Sequence, residues 1–566
     1  MPAFLRSSCP SPCPSSFRAR VTELLVVALL AFGATDVALA QKKTVCTVTV
    51  NSADEKEAFR KALGPGQYDF VELVEHGRSD WLESACRSGV RCDVLVISGH
   101  YDGGNEFFSD RTEAREYLPV DELERVSCNG SCPGLFSQLK EVYLFGCNSL
   151  NPQANASVAG EVGRSLQRAG LSRVEAERMA RSLAARHAES ARDRMRLIFK
   201  DVPAIYGFSA VAPLGPTAAS ILRRHFQAGG ASDVGTGRTS SRLLAQFSAH
   251  AMTVTGGLGA NDPLLAHRQD VCQFANDRVA PEQRADFVHA LFEREIAEAR
   301  MFLGRLEKFQ SSLPPATQRS QALSASLARI AEDDAVRTRY MELARDADAP
   351  ATRARMIALG GKLGWLSQEE ERDEIATMFE ERLARNTVTP AEVDLACSLN
   401  RDGDLDGIEL TRGDGSRVAN AALLACLGDA PARDRVVRAL SSSSEDDVRF
   451  AQVVLSYRPL DQRSELPAVM SEIAGMTSRE AQMRALHALA SQRLSDPASL
   501  SELVRLYPRV DSPGVQMAIA TVLLRSDFRS IATQDVVQTL RARRMRASSG
   551  EDAIDVLIRR MQLHVQ

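Results

Sequence analysis

The sequence predicts an α/β unit built on a mostly parallel sheet, followed by an all-α region of repeated helices. Three observations lead there. Short apolar runs at 45–50, 70–74, 94–97, 142–145 and 203–208 alternate with helix-forming stretches. Each run is too short for a helix and rich in β-branched or aromatic residues, the mark of a buried strand. Beyond about Pro281 no such run recurs, and helical periodicity continues to the end of the chain. Strands that alternate with helices specify βαβ units and therefore a parallel sheet.

At 566 residues the chain exceeds one ordinary domain. The net charge of −4 offers no electrostatic footprint for nucleic acid or an anionic membrane. Aromatic residues make up only 5%, too few for a base-stacking surface, so no nucleic-acid partner is expected. At the N-terminus, Arg6, Arg18 and Arg20 precede an apolar core at 24–34, and Ala38-Leu39-Ala40 offers a small-residue cleavage site before Gln41. That order describes a signal peptide over 1–40 and a periplasmic or secreted mature chain. The core is shorter than the ~20 residues a membrane span needs. No later stretch is long and apolar enough, so no span is expected after signal removal.

Export governs how the cysteines are read. Of eleven, Cys9 and Cys13 leave with the signal, and the remaining nine are an odd number for an oxidising compartment. Proximity suggests Cys86 with Cys92 and Cys128 with Cys132, leaving Cys46 with Cys272 and Cys397 with Cys426. Connectivity stays open, since eight cysteines allow on the order of a hundred pairings. Cys147 is the thiol these pairings leave single.

In chain order, 45–50 alternates as a first strand, and Ser52 with Glu55 three residues on predicts a capped helix to about Leu63, stopped by Gly64-Pro65-Gly66. A second strand at 70–74 and a short helix at 79–86 follow. The third strand ends Ser98-Gly99-His100 and runs into the loop YDGGNEFFSD; the fourth ends Gly146-Cys147. Residues 156–199 are helix-forming, 203–208 is a fifth strand followed by the turn-rich VAPLGP, and 218–226 is helical. The Gly/Ser/Thr-rich run 229–241 predicts a mobile surface loop. Residues 287–306 form an amphipathic helix. Segments beginning at Asp446, Ser478 and Ser512 share one layout, with Phe450, Met483 and Met517 in step at spacings of 33 and 34 residues, and Thr352 begins an earlier copy. A helical unit recurring at this period is the signature of an α-solenoid and resembles HEAT-like repeats.

Ligands of open α/β sheets bind at the carboxyl ends of the strands. His100 and Cys147 end two such strands with 46 residues between them. A cysteine nucleophile needs a base to hold it as thiolate, and histidine is the usual one. Acyl transfer also needs oxyanion donors, for which the backbone amides of Cys147 and Tyr101 are the candidates. Gly99, Gly103, Gly104 and Gly146 would admit a substrate close to the backbone.

The segments VLVISGH and FGCNS resemble the caspase-like fold of caspases, metacaspases, gingipains, separases and CHAT-domain proteases, in which the His ends the third strand and the Cys the fourth. The resemblance covers about residues 44–265. It implies a His100/Cys147 dyad that hydrolyses peptide or protein substrates through a thioester. The family normally places Gly directly after the His; here Tyr101 stands there, and its side chain threatens to crowd the site. Asp102, Glu106 and Asp110, near His100, are candidates for choosing the residue before the cut.

Asp402, Asp404 and Asp406 alternate ahead of Gly407, resembling a calcium loop, with Glu409 or Asp414 in place of the bidentate Glu because the twelfth position is Gly413. A structural Ca²⁺ is therefore a possible ligand, while the dyad itself needs no cofactor. The expected organisation is a signal peptide (1–40), a caspase-like α/β domain (41–270), a helical connector (271–345) and HEAT-like repeats (346–566) with a protein partner. The expected function is an exported cysteine endopeptidase. The alternative is a catalytically inactive caspase-like scaffold; a thiol oxidoreductase lacks any C-x-x-C motif.

Overall fold

The structure is a computed structural model describing residues 42–73, 81–110, 116–130, 132–153, 159–168, 170–187, 190–408, 410, 417–545 and 552–565. The expected signal peptide, Glu409 and Asp414 lie outside these residues. The chain divides into two units, one holding 1–156 and 188–276, the other 157–187 and 277–566. The continuous span 41–270 expected for the α/β part is thus interrupted by an excursion that belongs with the helices.

Six strands form the main sheet: β1 (Lys43–Thr49), β2 (Tyr68–Glu72), β3 (Val94–Ser98), β7 (Glu141–Phe145), β8 (Ala204–Phe208) and β9 (Met252–Thr255). Their order is β2-β1-β3-β7-β8-β9, parallel throughout except for antiparallel β9. Residues 94–97 of β3 and 142–145 of β7 are continuously apolar and buried because both faces are covered. On one face Val45, Val94, Val96, Tyr143 and Tyr206 pack beneath Phe59 of α1 (Asp54–Ala62) and Phe226 of a later helix, Gly215–Gln227. On the other, Leu95, Ile97, Val142, Leu144 and Ile205 join Leu82 of α2 (Trp81–Arg87), Val126 of α3 (Val120–Asn129) and Met195 of the helix Ala191–Ile198.

Several local expectations change. The loop after His100 is a three-stranded antiparallel ribbon of β4 (His100–Tyr101), β5 (Glu106–Phe108) and β6 (Tyr117–Pro119). Its strands of two or three residues are too short for alternation to register. Ser52 does not cap α1: the helix starts from Ala53, Ser52 Oγ accepts the Asp54 N–H, and Glu55 is buried instead of closing a capping box. The stretch 156–199 breaks into α4 (Ala159–Arg168), α5 (Arg173–Arg186) and α6 (Ala191–Ile198), with Gly170 left-handed at φ +100° in the first break. The helix at 287–306 is likewise three pieces, Pro281–Glu293, Ala297–Met301 and Leu303–Ser312. Arg294 turns extended at the first break with no Gly or Pro to announce it.

The run 229–241 is pinned rather than loose. The carboxylate of Glu141 accepts N–H bonds from Gly235, Thr236 and Gly237 at 2.9–3.0 Å and the Tyr143 hydroxyl at 2.7 Å. Tyr68 OH and Lys43 Nζ both donate to the Val234 carbonyl. Glu141 and Lys43 begin their strands, so this loop closes the amino edge of the sheet, opposite the strand ends that carry His100 and Cys147.

Among the described residues four disulfides form: Cys46–Cys92, Cys86–Cys132, Cys128–Cys272 and Cys397–Cys426. Only the last matches an expected pairing; both pairs suggested by proximity are contradicted. Neighbours in sequence belong to different elements here. Cys86 lies on α2 and Cys92 leads into β3, where β1 brings Cys46 alongside; Cys128 lies on α3, which packs on α7 (Leu264–Ala275) and meets Cys272 there. Cys147 is the free cysteine among the described residues. These bridges fit an oxidising, extracytoplasmic setting, and no helix among the described residues is long and apolar enough to cross a membrane.

In the helical unit the three similar segments are helices α8 (Glu445–Tyr457), α9 (Arg479–Leu489) and α10 (Pro513–Arg525), each followed by a second helix, Leu466–Gly475, Pro497–Leu506 and Gln534–Ala542. First helices stack on first helices, and the second helices 466–475 and 497–506 also pack together. Their N-caps Ser444, Ser478 and Ser512 fall 34 residues apart, so the period is uniform and Phe450 sits one position out of step with Met483 and Met517. Buried Gln482 and Gln516 occupy one repeat position and make the same bond, each Nε2 donating to a carbonyl nine residues earlier, Ile473 and Tyr507.

Removing the Glu141 carboxylate leaves three amides and a hydroxyl without their acceptor. Glu141→Ala is expected to lower stability by about 3 kcal/mol or more in denaturant titration, and to speed amide exchange at 235–237 ahead of the rest of the sheet.

Candidate active site

β3 and β7 run parallel with Ser98 opposite Phe145, and the Gly99 N–H donates to the Phe145 carbonyl at 3.1 Å. His100 and Cys147 each stand two residues past this last pair, on adjacent strands at the carboxyl edge. The two chains then part. After His100 the backbone enters the ribbon; after Cys147 it turns sharply at Asn148, left-handed at φ +58°, a conformation Asn tolerates better than most residues. The turn is held by Asn148 N–H to the Ala210 carbonyl at 2.8 Å and by Phe208 N–H to Ser149 Oγ at 3.2 Å.

Cys147 is half-buried, and its Sγ accepts the Ala212 N–H at 3.4 Å. The Cys147 N–H donates to no acceptor among the described residues. The His100 ring lies against Phe108, its cross-strand partner, with centroids 5.4 Å apart, and its Nε2 is 3.5 Å from Asp110 Oδ2. Asp110 is 71% exposed, so this is a loose, water-screened contact that orients the ring more than it stabilises the fold.

Tyr101 does not crowd the site. Its side chain is 5% exposed and packs on Phe107 at 4.7 Å within the core below the ribbon. Its hydroxyl has no hydrogen-bond partner, and burial pushes its pKa up to about 12. The Asp102 N–H bonds the Glu106 carbonyl, so Tyr101 and Phe107 form the pair that exchanges no bonds, and the Tyr101 amide faces away from β5. Gly99 and Gly146 serve packing rather than substrate approach. A Cβ on Gly146 would lie 2.8 Å from Tyr101 Cβ and 3.1 Å from the Gly99 carbonyl; one on Gly99 would lie 3.1 Å from Val50 Cβ.

The acidic candidates separate. Asp102 accepts the amides of Gly104, Asn105 and Glu106 and so shapes the ribbon turn, while Arg194 ties that turn down through the Gly104 carbonyl and Asp121. Burial raises the Asp102 carboxyl, but those amide bonds outweigh it and hold its pKa below the usual value. Glu106 lies on β5. Asp110 alone reaches His100.

Two features were not singled out from the sequence, and Glu55, read there as a capping residue, takes a different role. Ala212 in VAPLGP reaches the thiol, and its neighbours Val211 and Leu214 are 70% and 72% exposed, an apolar lip beside Cys147. Glu55, only 3% exposed, lies against Ser98 and Ser52 with Oε2 unpartnered, and burial raises its pKa to about 7. No local signal marks any of them, since each acts through residues distant in sequence.

At the proposed calcium loop, the described carboxylates do not converge. Asp402 and Asp404 point to solvent, whereas Asp406 Oδ1 takes the Asn400 amide at 2.7 Å and the Arg458 guanidinium at 3.0 Å. Both bonds hold the Asp406 pKa below the usual carboxylate range, and a cation there would compete with Arg458. Comparison with known proteins finds no matching family model, no similar curated protein and no similar solved structure.

Two outcomes follow from the buried polar groups. The unfolded chain ionises Glu55 near 4.5 and the folded chain near 7, so this group lowers stability as pH rises through that window. Glu55→Gln should therefore gain about 3 kcal/mol over the parent at pH 8 and nothing at pH 4, read by urea unfolding at both. Tyr101→Phe removes an unpartnered hydroxyl and should hold or raise stability by about 1 kcal/mol in the same assay.

Proposed function

We propose that the α/β unit is a caspase-like cysteine endopeptidase. The observation that carries this is the pairing of Ser98 with Phe145, which brings His100 and the unpaired Cys147 to equivalent positions at the ends of adjacent parallel strands. Within the six-stranded sheet these are the third and fourth strands in chain order, as the resemblance requires.

His100 takes the thiol proton, and Sγ, which accepts the Ala212 N–H, attacks the substrate carbonyl carbon. The carbonyl oxygen becomes an oxyanion facing the free Cys147 amide and the Tyr101 amide. The tetrahedral intermediate collapses by breaking the C–N bond, with the amine leaving on the proton held by His100. Water, deprotonated by His100, then cleaves the thioester and restores the thiol. Asp110 at Nε2 leaves Nδ1 for the proton transfers. The helical repeats, HEAT-like in period and stacking, form an arm that binds a protein partner. No cofactor enters the reaction.

Alkylation of the mature protein across pH, with labelled sites mapped by mass spectrometry, tests the dyad without a known substrate. Cys147 alone should react quickly near neutral pH, and His100→Ala should slow it by about tenfold or more. A Cys147 that stays unlabelled until the protein unfolds removes the peptidase and leaves the scaffold reading, with the repeats carrying the function.

A further inference from the structure

We infer a zinc site in the helical unit, formed by His289, Glu293 and Asp333. His289 and Glu293 are four residues apart on the helix Pro281–Glu293 and so share one face. Asp333 comes from the N-cap of another helix, Asp334–Arg345. One ligand atom from each residue lies within 4.8 Å of the other two, the one such His/Cys/Asp/Glu convergence among the described residues.

The arrangement is held in place before any ion arrives. Asp333 Oδ1 accepts the Val336 N–H at 3.0 Å, which fixes the carboxylate and leaves Oδ2 turned to His289 Nε2, 3.0 Å away. Phe292, one turn from His289, packs edge-on against Tyr340 of the Asp333-capped helix and against Trp365. Trp365 Nε1 donates to the Ile330 carbonyl at 2.7 Å, just ahead of Asp333, and Arg339 Nη2 bonds the Phe292 carbonyl at 3.2 Å. Both helices that supply ligands are thus locked to each other beneath the site.

Charge supplies the second argument. The Glu293 side chain has no hydrogen bond or ion pair among the described residues, yet its carboxylate lies within 4.8 Å of a second carboxylate and of the His289 imidazole. Ligands bound at 2.0–2.2 Å stand about 3–3.5 Å apart, so the ligand atoms draw inward on binding, and Glu293, the exposed member of the three, is the one free to move. An imidazole with two carboxylates suits Zn²⁺; the hard cations Ca²⁺ and Mg²⁺ prefer oxygen ligands throughout. Three protein ligands leave a fourth position open to water.

The test is calorimetric titration of Zn²⁺ into the chelator-stripped mature protein, with the absorption spectrum of bound Co²⁺ as a second readout. One ion per chain is expected, retained in Cys147→Ser, which separates this site from the His100/Cys147 thiol. His289→Ala should weaken binding by more than the ~10–100-fold lost when only an outer partner of a ligand is removed, with its fold checked by circular dichroism. Exposed Glu293→Gln, which disturbs no packing and keeps a carbonyl oxygen but removes the ligand's charge, should weaken binding by at least about tenfold. Absence of bound Zn²⁺, binding unchanged in Glu293→Gln, or binding lost in Cys147→Ser overturns the assignment.

Discussion

The pairing of β3 with β7 is the constraint on which the α/β unit depends, because every side chain in both strands is buried, on one face or the other. A slip of one residue would exchange Leu95, Ile97 and Leu144 with Val94, Val96 and Tyr143, sending each set against the wrong helices. The register is therefore fixed by packing, and with it the level at which His100 and Cys147 leave the sheet. Gly99 and Gly146 permit the close approach this needs: a side chain at Gly146 would meet Tyr101 and the Gly99 carbonyl at once.

The two edges of the sheet differ in how fully their polar groups are satisfied. At the amino edge, Glu141 saturates its carboxylate on three amides and a tyrosine, and the 229–241 loop is fastened as a result. At the carboxyl edge, among the described residues, Glu55 Oε2 and the Tyr101 hydroxyl are buried without partners, and the Cys147 amide donates to no acceptor. Groups left unsatisfied cost stability, and they concentrate where a fold gives up local optimality for a site. The carboxyl edge carries that cost and the amino edge does not.

The helical unit follows a different principle. Its first helices stack on their equivalents at a uniform period of 34, and Gln482 and Gln516 repeat one buried bond to the end of the preceding helix. A repeated polar pin at a fixed position specifies the stacking offset as apolar contacts alone do not, since an offset stack would leave the amide unpaired. Near its start the unit departs from the repeat, and the Phe292, Tyr340 and Trp365 cluster there supports His289 and Asp333.

By itself the sequence determined what local signals can determine: five of the six strands of the main sheet, the change to an all-helical second half, a recurring helical layout there, and a His and a Cys at successive strand ends. The odd cysteine count pointed to the free thiol for the same reason, because counting needs no geometry. Tertiary structure decided whatever depends on residues far apart in the chain. Cys46 meets Cys92 because β1 adds beside β3, and Cys128 meets Cys272 because α3 packs on α7. Tyr101 turns into the core because the short ribbon supplies Phe107 beneath it, and strands of two or three residues leave no periodic trace. Asp110 reaches His100 only once that ribbon folds back, and the run 229–241 is still only because Glu141 lies beneath it. In each case the deciding partner is distant in sequence, and only the packed chain brings it near.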